Sequence, residues 1–190
     1  MGRERRVIDP ESIYHVMCRG SDRKVIALDA RDYRTLTGLL AKAATRYEWE
    51  IFAWCLMPNH YHVVMRTPNG GFSEGFRMLN QSHSFRFNRR HGRSAHLFRH
   101  RPHAIEILSD AHLVGAIVYV VRNPIRAELC QFAWQWPYSS YRAIVGLEAA
   151  PPWLAVEFVL ELFGGADEFR WFVHQGQLAV SKTALSATPE

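Results

Sequence analysis

The spacing of hydrophobic positions changes several times along the chain, and each change predicts a new element. Residues 12–19 alternate loosely between apolar and polar side chains, which predicts a first strand. From residue 29 to 47 apolar residues recur at helical spacing behind a capping aspartate, which predicts a first helix. Residues 49–57 and 60–66 are rich in aromatic and branched side chains around a Pro-Asn pair, which predicts a hairpin.

The second half of this pattern adds two helices and a strand. Helical spacing returns over residues 73–91, and residues 102–108 form a short fourth strand. Ser109 caps a third helix, which we expect to run to about Arg122 and to be stopped by Pro124. The element order predicts an α+β fold, a ferredoxin-like split βαβ sandwich whose antiparallel sheet carries helices on one face. The other face would stay available.

The composition changes after residue 146 and divides the chain into two predicted parts. Residues 1–146 contain the elements above, with no internal repeat and no linker rich in proline and serine, so we expect one domain there. Residues 147–190 contain an apolar helical stretch over 153–163, a shorter helix over 167–174 and a frayed end. We expect this part to be a small helical C-terminal appendage.

The composition excludes several classes of protein. With 190 residues, 48% hydrophobic and 22% charged, the chain resembles folded globular proteins rather than disordered or collagenous ones. No apolar run approaches the roughly 20 residues of a membrane span, and the charged start is unlike a secretion signal. Cys18, Cys55 and Cys130 lie far apart, so neither a disulfide framework nor a zinc finger is indicated. We expect a cytoplasmic protein.

The net charge of +5 is concentrated in one interval of the chain. Between Glu74 and Glu106 there is no acidic residue, and seven arginines occur there: Arg77, Arg86, Arg89, Arg90, Arg93, Arg99 and Arg101. Because the arginine fork binds phosphate oxygens, this interval predicts a surface for the nucleic-acid backbone. The alternative is a solvated basic face without a partner. Aromatic residues of the interval, such as Phe87, His91, His96 and Phe98, either stack on unpaired bases or belong to the core.

Two histidines form the first candidate site. His60 and His62 are separated by one residue in an extended segment, so both imidazoles point to one face of the sheet. Such a pair can bind one divalent ion, with Tyr61 turned into the core. Equally, exposed histidines on a strand often bind nothing.

The third helix carries the second candidate. Projected at about 100° per residue, His112, Gly115, Ala116, Arg122 and Asn123 fall within roughly 60° of Tyr119, while the rest of the circumference is apolar. The small neighbours leave the Tyr119 hydroxyl room for a bulky substrate, and the Asn123 amide oxygen could complete a metal site. Alternatively, the tyrosine covers the sheet edge and the asparagine begins a turn before the following proline.

Four motifs then occur in order: LMPNHYHVVMRTP, FNRRHGRSAHLFRHRP, YVVRNPIRAEL and WPYSSYRAIVG. Together they resemble the signatures of the single-tyrosine HUH transposases, and within these the REP-associated tyrosine transposases, over roughly residues 8–146. The resemblance implies a ferredoxin-like HUH endonuclease core that cuts and rejoins single-stranded DNA flanking a hairpin. By the same resemblance Tyr119 is the nucleophile that forms a 5′-phosphotyrosine, and His60, His62 and Asn123 hold a divalent ion, Mg²⁺ or Mn²⁺.

The resemblance also sets the expected partners. DNA is the substrate, with Arg122 joining the seven arginines above as a candidate contact. Relatives in insertion sequences work as dimers, whereas the REP-associated type acts alone, so both a homodimer and a monomer stay open. Two rivals also stay open: a non-catalytic module that binds single-stranded nucleic acid on the same fold, and a nuclease that hydrolyses DNA with water.

Overall fold

The computed structural model describes residues 8–98 and 100–174, and four strands form one antiparallel sheet at its centre. Their bounds are Ile13–Arg19 for β1, Glu50–Leu56 for β2, His60–Arg66 for β3 and His103–Ile107 for β4. The strands lie in the order β2-β3-β1-β4, which is the order of the split βαβ sandwich. The predicted fold class is therefore confirmed.

Three long helices accompany the sheet: α1 Ala30–Arg46, α2 Phe72–Arg90 and α3 Asp110–Arg126. The Asp29 carboxylate accepts hydrogen bonds from the amides of Arg31 and Asp32, so it caps α1 as the sequence predicts. The Ser109 hydroxyl accepts from the His112 amide and caps α3 in the same way. Within the described part of the chain, no helix has the length and apolar character needed to cross a membrane.

The helices occupy both faces of the sheet. Successive side chains of a strand point to opposite faces, and on β3 the Tyr61 ring stacks near Phe76 of α2, whereas the His62 ring contacts Tyr119 of α3. Helices α1 and α2 therefore share one face, and α3 lies on the other face over β2 and β3. The prediction that the helices lie on one face of the sheet and leave the other available is therefore wrong. Helix α3 is almost wholly apolar, so it must itself be covered, and it packs on the second face.

Helix α3 continues past the position where the sequence predicts its end. Pro124 lies inside the helix, which runs on to Arg126. A proline cannot donate a backbone hydrogen bond to the carbonyl four residues before it, here that of Val120. The Asn123 side-chain Nδ2 donates to this carbonyl at 3.4 Å and to the Tyr119 carbonyl at 3.0 Å. This replacement donor explains why the predicted stop at Pro124 is wrong.

The described residues from 141 onward pack against the rest of the fold. A short helix, α4 (Tyr141–Ile144), is followed by α5 (Val156–Phe163) and α6 (Ala166–His174). Before α5 the chain pairs with β2 through a parallel bridge between Ile51 and Leu154, which is why the helix starts later than predicted. Val159 and Phe169 belong to the main core. The domain boundary at residue 146 stays a prediction, and the frayed segment from 181 to 190 lies outside the described residues.

Candidate active site

The two histidines of β3 lie at the centre of the sheet, on the face that carries α3. His62 stands opposite Met17 of β1 and is 2% exposed, while His60 stands opposite Arg19 near the strand end and is half-buried. Their ring centroids are 4.9 Å apart and the ring planes are nearly perpendicular, at 85°. The alternation of the strand thus brings the two imidazoles together, as the sequence predicts.

The structure brings Tyr119 to the same place. Its half-buried ring lies 5.6 Å from the His62 ring and 5.7 Å from the His15 ring, measured between centroids. The Arg126 guanidinium lies over the same phenol ring, 4.8 Å from the ring centroid. A tyrosine, three imidazoles and an exposed cation therefore meet on one side of the sheet.

Each histidine of the pair is held through its Nδ1 atom. The Asn59 carboxamide oxygen lies 2.6 Å from His60 Nδ1 and accepts its proton. His62 Nδ1 lies 2.9 Å from His15 Nε2, so one proton is shared between these two rings. Because each ring is fixed by its Nδ1, the Nε2 atoms are the ones available to a ligand.

Burial keeps this histidine cluster neutral. Desolvation, and then the charges of His112 and His103, lower the pKa of His15 to about 4. Desolvation and the Arg19 charge lower the pKa of His60 to about 4. Desolvation, followed by the neighbouring His15 and His60, lowers the pKa of His62 to about 2. The neutral imidazole, which is the form that binds metal ions, is thus present at neutral pH.

Whether these residues suit a divalent ion depends on which side chain supplies a third ligand atom besides the two imidazole nitrogens. Among residues 8–98 and 100–174, no group of three or more His, Cys, Asp and Glu side chains converges as a metal site. The hydrogen bonds of the Asn123 side chain use its Nδ2 and stay within α3, which leaves its Oδ1 as the acceptor. Two imidazole nitrogens and one amide oxygen form a mixed donor set suited to manganese and similar ions. The donor chemistry of these three side chains therefore suits such an ion.

The predicted DNA-binding arginines differ in their surroundings. Four of them are exposed and have no carboxylate at ion-pair distance in the described part of the chain: Arg77, Arg86, Arg89 and Arg101. Arg93 lies over the Phe87 ring, 5.5 Å from its centroid. Arg122 is 9% exposed, and burial followed by the Arg126 charge lowers its pKa. Arg99 lies outside the described residues.

Arg90 and His91 serve the fold instead. Arg90 donates to the carboxylates of Asp29 and Asp32, so it ties the end of α2 to the start of α1. These hydrogen bonds to Arg90 are the main reason that the pKa of Asp29 is lowered. His91 also contacts Asp32, at 2.9 Å, and packs on the buried Phe87 ring. The idea that Phe87 and His91 stack on bases is therefore wrong, because both rings are engaged in packing.

Three residues of the site are absent from the sequence-based set. Arg126 follows Tyr119 by seven residues, a spacing that returns to the same side of a helix, so the periodicity could have found it. Asn59 directly precedes His60, but its role depends on the shape of the turn. His15 bonds to a residue 47 positions away, and only the strand register reveals that contact.

Comparisons with known sequences assign the first part of the chain to a family. The sequence model of the family described as "Transposase IS200 like" matches residues 10–106, just over half of the chain. A curated relative from Haemophilus influenzae, "Putative REP-associated tyrosine transposase", is 25% identical over 116 residues. That alignment covers 55% of this chain and 66% of the relative, so the chain spans just under two thirds of its length.

A solved structure gives the same picture of the fold. "Structure of the REP associates tyrosine transposase bound to a REP hairpin" superposes with a TM-score of 0.64 and 21% sequence identity, over 80% of this chain and 89% of that chain. At this identity the likeness shows a common fold and no more. With the family match across the sheet and its two flanking helices, the chain belongs to the IS200-like transposase family.

Proposed function

We propose that this protein cleaves and rejoins single-stranded DNA beside a hairpin, with Tyr119 as the nucleophile and a 5′-phosphotyrosine as the intermediate. The observation that carries the proposal is the 5.6 Å separation of the Tyr119 and His62 rings on a face where both histidine Nε2 atoms are available. The family membership and the hairpin DNA bound by the structural neighbour support the same substrate class.

The reaction is a transesterification. The Tyr119 phenol oxygen attacks the scissile phosphorus, the bond from phosphorus to O3′ breaks, and one strand is left with a 3′-hydroxyl. The phenol proton passes to solvent, and the departing 3′-oxygen takes up a proton. Because the phosphotyrosine is itself a phosphodiester, the 3′-hydroxyl of a second strand can reverse the step and rejoin the DNA. The reaction therefore needs no nucleotide cofactor.

The residues around the phenol have distinct tasks. Arg126, whose guanidinium already lies against the Tyr119 ring, offsets negative charge on the attacking oxygen and on the phosphate. His60 and His62 bind a divalent ion through Nε2, and Asn123 Oδ1 is the third candidate ligand. When bound, such an ion polarises the phosphate and neutralises charge in the transition state. Asn59 and His15 hold the two imidazole rings in the orientation that this binding needs.

The test is formation of a covalent adduct. The protein is incubated with Mn²⁺ and a 3′-fluorescent hairpin oligonucleotide bearing single-stranded flanks, so that the label stays on the fragment joined to Tyr119, and the products are separated by denaturing electrophoresis. We expect a protein–DNA adduct with the wild type and none with Tyr119→Phe, since the nucleophilic oxygen is lost. Tyr138→Phe is the matched control, because the Tyr138 ring stacks on Tyr33 at 3.9 Å and has a packing role.

Two results would contradict the proposal. Strand cleavage that persists in Tyr119→Phe would mean that water, not the phenol, attacks the phosphate. Oligonucleotide binding without any cleavage, under conditions where Mn²⁺ binds the protein, would instead identify a binding module on this fold.

A further inference from the structure

A groove runs between α2 and the segment that leads into β4, away from the histidine cluster. Its volume is about 1000 Å³. The side chains that matter for its chemistry are Arg77 and Gln81 on α2 and Phe98, His100 and Arg101 on the opposite wall. The first turn of α2 also contributes to the lining.

The lining of this groove is basic. Glu74 is the single carboxylate among the described residues that line it, against two arginines and two histidines. Arg77 and Arg101 are exposed, and neither is within ion-pair distance of a carboxylate in the described part of the chain. A polyanion would complement this lining.

A second, smaller depression adjoins this groove and reaches the strand position beside His60. It has a volume of about 310 Å³ and shares His100, Arg101 and His103 with the groove. Its other end includes Arg19, the residue that stands opposite His60 in the sheet, and Asp22, whose carboxylate pairs with Lys24. Arginine and histidine side chains thus lead from the neighbour of His60, along the segment before β4, to the groove beside α2.

We propose, on the basis of the function proposed above, that this surface binds the unpaired DNA strand that leads away from the cleaved phosphate. Arg19 and Arg101 bind its backbone near the histidines, and Arg77 binds a phosphate within the groove. Phe98 offers a partly exposed ring to a base, and Gln81 offers hydrogen bonds to a base edge. Arg86 and Arg89, which do not line the groove, are outside this path.

The size of the groove favours an unpaired strand over a duplex. Cavities that enclose small ligands reach about 1000 Å³, so a few splayed nucleotides fill this space. A double helix, whose major groove alone is about 12 Å wide, could only lie across the mouth. The aromatic and amide side chains inside the groove would then contact nothing.

Fluorescence anisotropy of hairpin oligonucleotides with flanks of increasing length tests this proposal. EDTA is present, so that binding is measured without cleavage. For the wild type we expect affinity to rise with flank length to a plateau. Arg77→Gln should lose several-fold in affinity for long flanks, and the slope of log affinity against log salt should fall by roughly 0.7. Its affinity for a blunt hairpin should be unchanged.

Two further variants sharpen the result. Gln81→Glu adds a carboxylate at an exposed position of α2 and should weaken binding of long flanks only. Arg34→Gln removes an exposed charge from α1, outside both depressions, and should change neither affinity.

Three outcomes would overturn the proposal: no loss with Arg77→Gln, an equal loss for the blunt hairpin, which would assign the groove to duplex DNA, or an equal loss with Arg34→Gln. Because no covalent step takes part, a failure here is distinct from a failure to form the Tyr119 adduct.

Discussion

The two faces of β3 each bury a ring with a polar atom, and they satisfy it differently. On the face under α2, the Tyr61 hydroxyl donates to Asn80 Oδ1 at 2.8 Å, and Asn80 Nδ2 donates to Cys18 Sγ at 3.3 Å. On the face under α3, the His62 ring is hydrogen-bonded through Nδ1 to His15, and its Nε2 is left for a ligand. The network around Tyr61 is closed, because its hydrogen bonds are made within the protein. The network around His62 is open, because one ring nitrogen is left for a ligand.

This difference indicates a structural role for Tyr61 and a functional role for its neighbour His62. A buried polar group costs free energy unless it is hydrogen-bonded, so the closed network around Tyr61 is what a stable core requires. The face of His62 instead gathers neutral imidazoles whose burial lowers their pKa. Buried groups of this kind, next to a tyrosine and an arginine, are typical of reaction sites. The comparison predicts that changes on the two faces have different consequences.

The largest effect is expected from the histidine pair. His60→Ala and His62→Asn each remove one ring nitrogen from the proposed metal site, so Mn²⁺ affinity and adduct formation should fall below detection. Affinity for the hairpin oligonucleotide should stay within a few-fold of the wild type, because we propose that arginines, not these histidines, contact the phosphates. Electron paramagnetic resonance measures Mn²⁺ affinity, and fluorescence anisotropy in EDTA measures affinity for the oligonucleotide separately. A large loss of DNA affinity would mean that the histidines contact the DNA themselves.

The next effect concerns stability and pH in the absence of metal. Each histidine of the cluster has an ordinary pKa of 6.5, lowered to about 4 for His15 and His60 and about 2 for His62. Below pH 6.5 the unfolded chain takes up protons that the folded protein does not, so the unfolding free energy should decrease as the pH falls. The slope is up to about 1.4 kcal/mol per pH unit for each histidine.

Urea denaturation in EDTA between pH 7.5 and 5 measures this slope. Above pH 6.5 the contribution should be fully present and the curve flat with respect to these groups. His62→Asn should show a shallower pH dependence than the wild type. A wild-type stability that does not change between pH 6.5 and 5 would show that these imidazoles are protonated in the folded state.

A smaller effect is expected at His15, which we assign a positioning role. His15→Leu removes the partner of His62 Nδ1, and loss of such an outer partner typically costs 10–100-fold in metal affinity. His15→Asn retains an acceptor and should recover most of the affinity. Mn²⁺ titrations of the two variants, alongside their urea midpoints, separate positioning from packing. Equal Mn²⁺ affinities of His15→Leu and His15→Asn, which differ in their capacity to accept a hydrogen bond, would contradict this role.

Much of the fold follows from local patterns. The alternation around His60 and the capping residues Asp29 and Ser109 are local signals, and the corresponding elements occur as predicted. The extent of α3 is different, because the effect of Pro124 depends on whether another group replaces its missing donor. Asn123 does so here, and no propensity contains that information.

The residues of the site also divide into those that local sequence patterns predict and those that depend on tertiary contacts. Tyr119 and the histidine pair are visible in the sequence because each lies in a periodic segment. The contact of His15 with His62 depends on the pairing of β1 with β3, and the pairing of Arg90 with Asp29 depends on how α1 packs on α2. The arginine-rich interval therefore separates into fold-stabilising and exposed members only in three dimensions.

The smallest effect tests the closed face directly. Tyr61→Phe removes the hydroxyl that donates to Asn80 and leaves the Asn80 oxygen without that donor, while the aromatic packing against Phe76 is retained. Net loss of such a hydrogen bond costs about 1 kcal/mol, so the urea midpoint should decrease slightly. Mn²⁺ affinity and adduct yield should equal those of the wild type, because Tyr61 and His62 point to opposite sides of the sheet. If Tyr61→Phe instead weakened metal binding as much as His15→Leu, the two faces would be coupled through β3, and the separation argued from their hydrogen bonds would not hold.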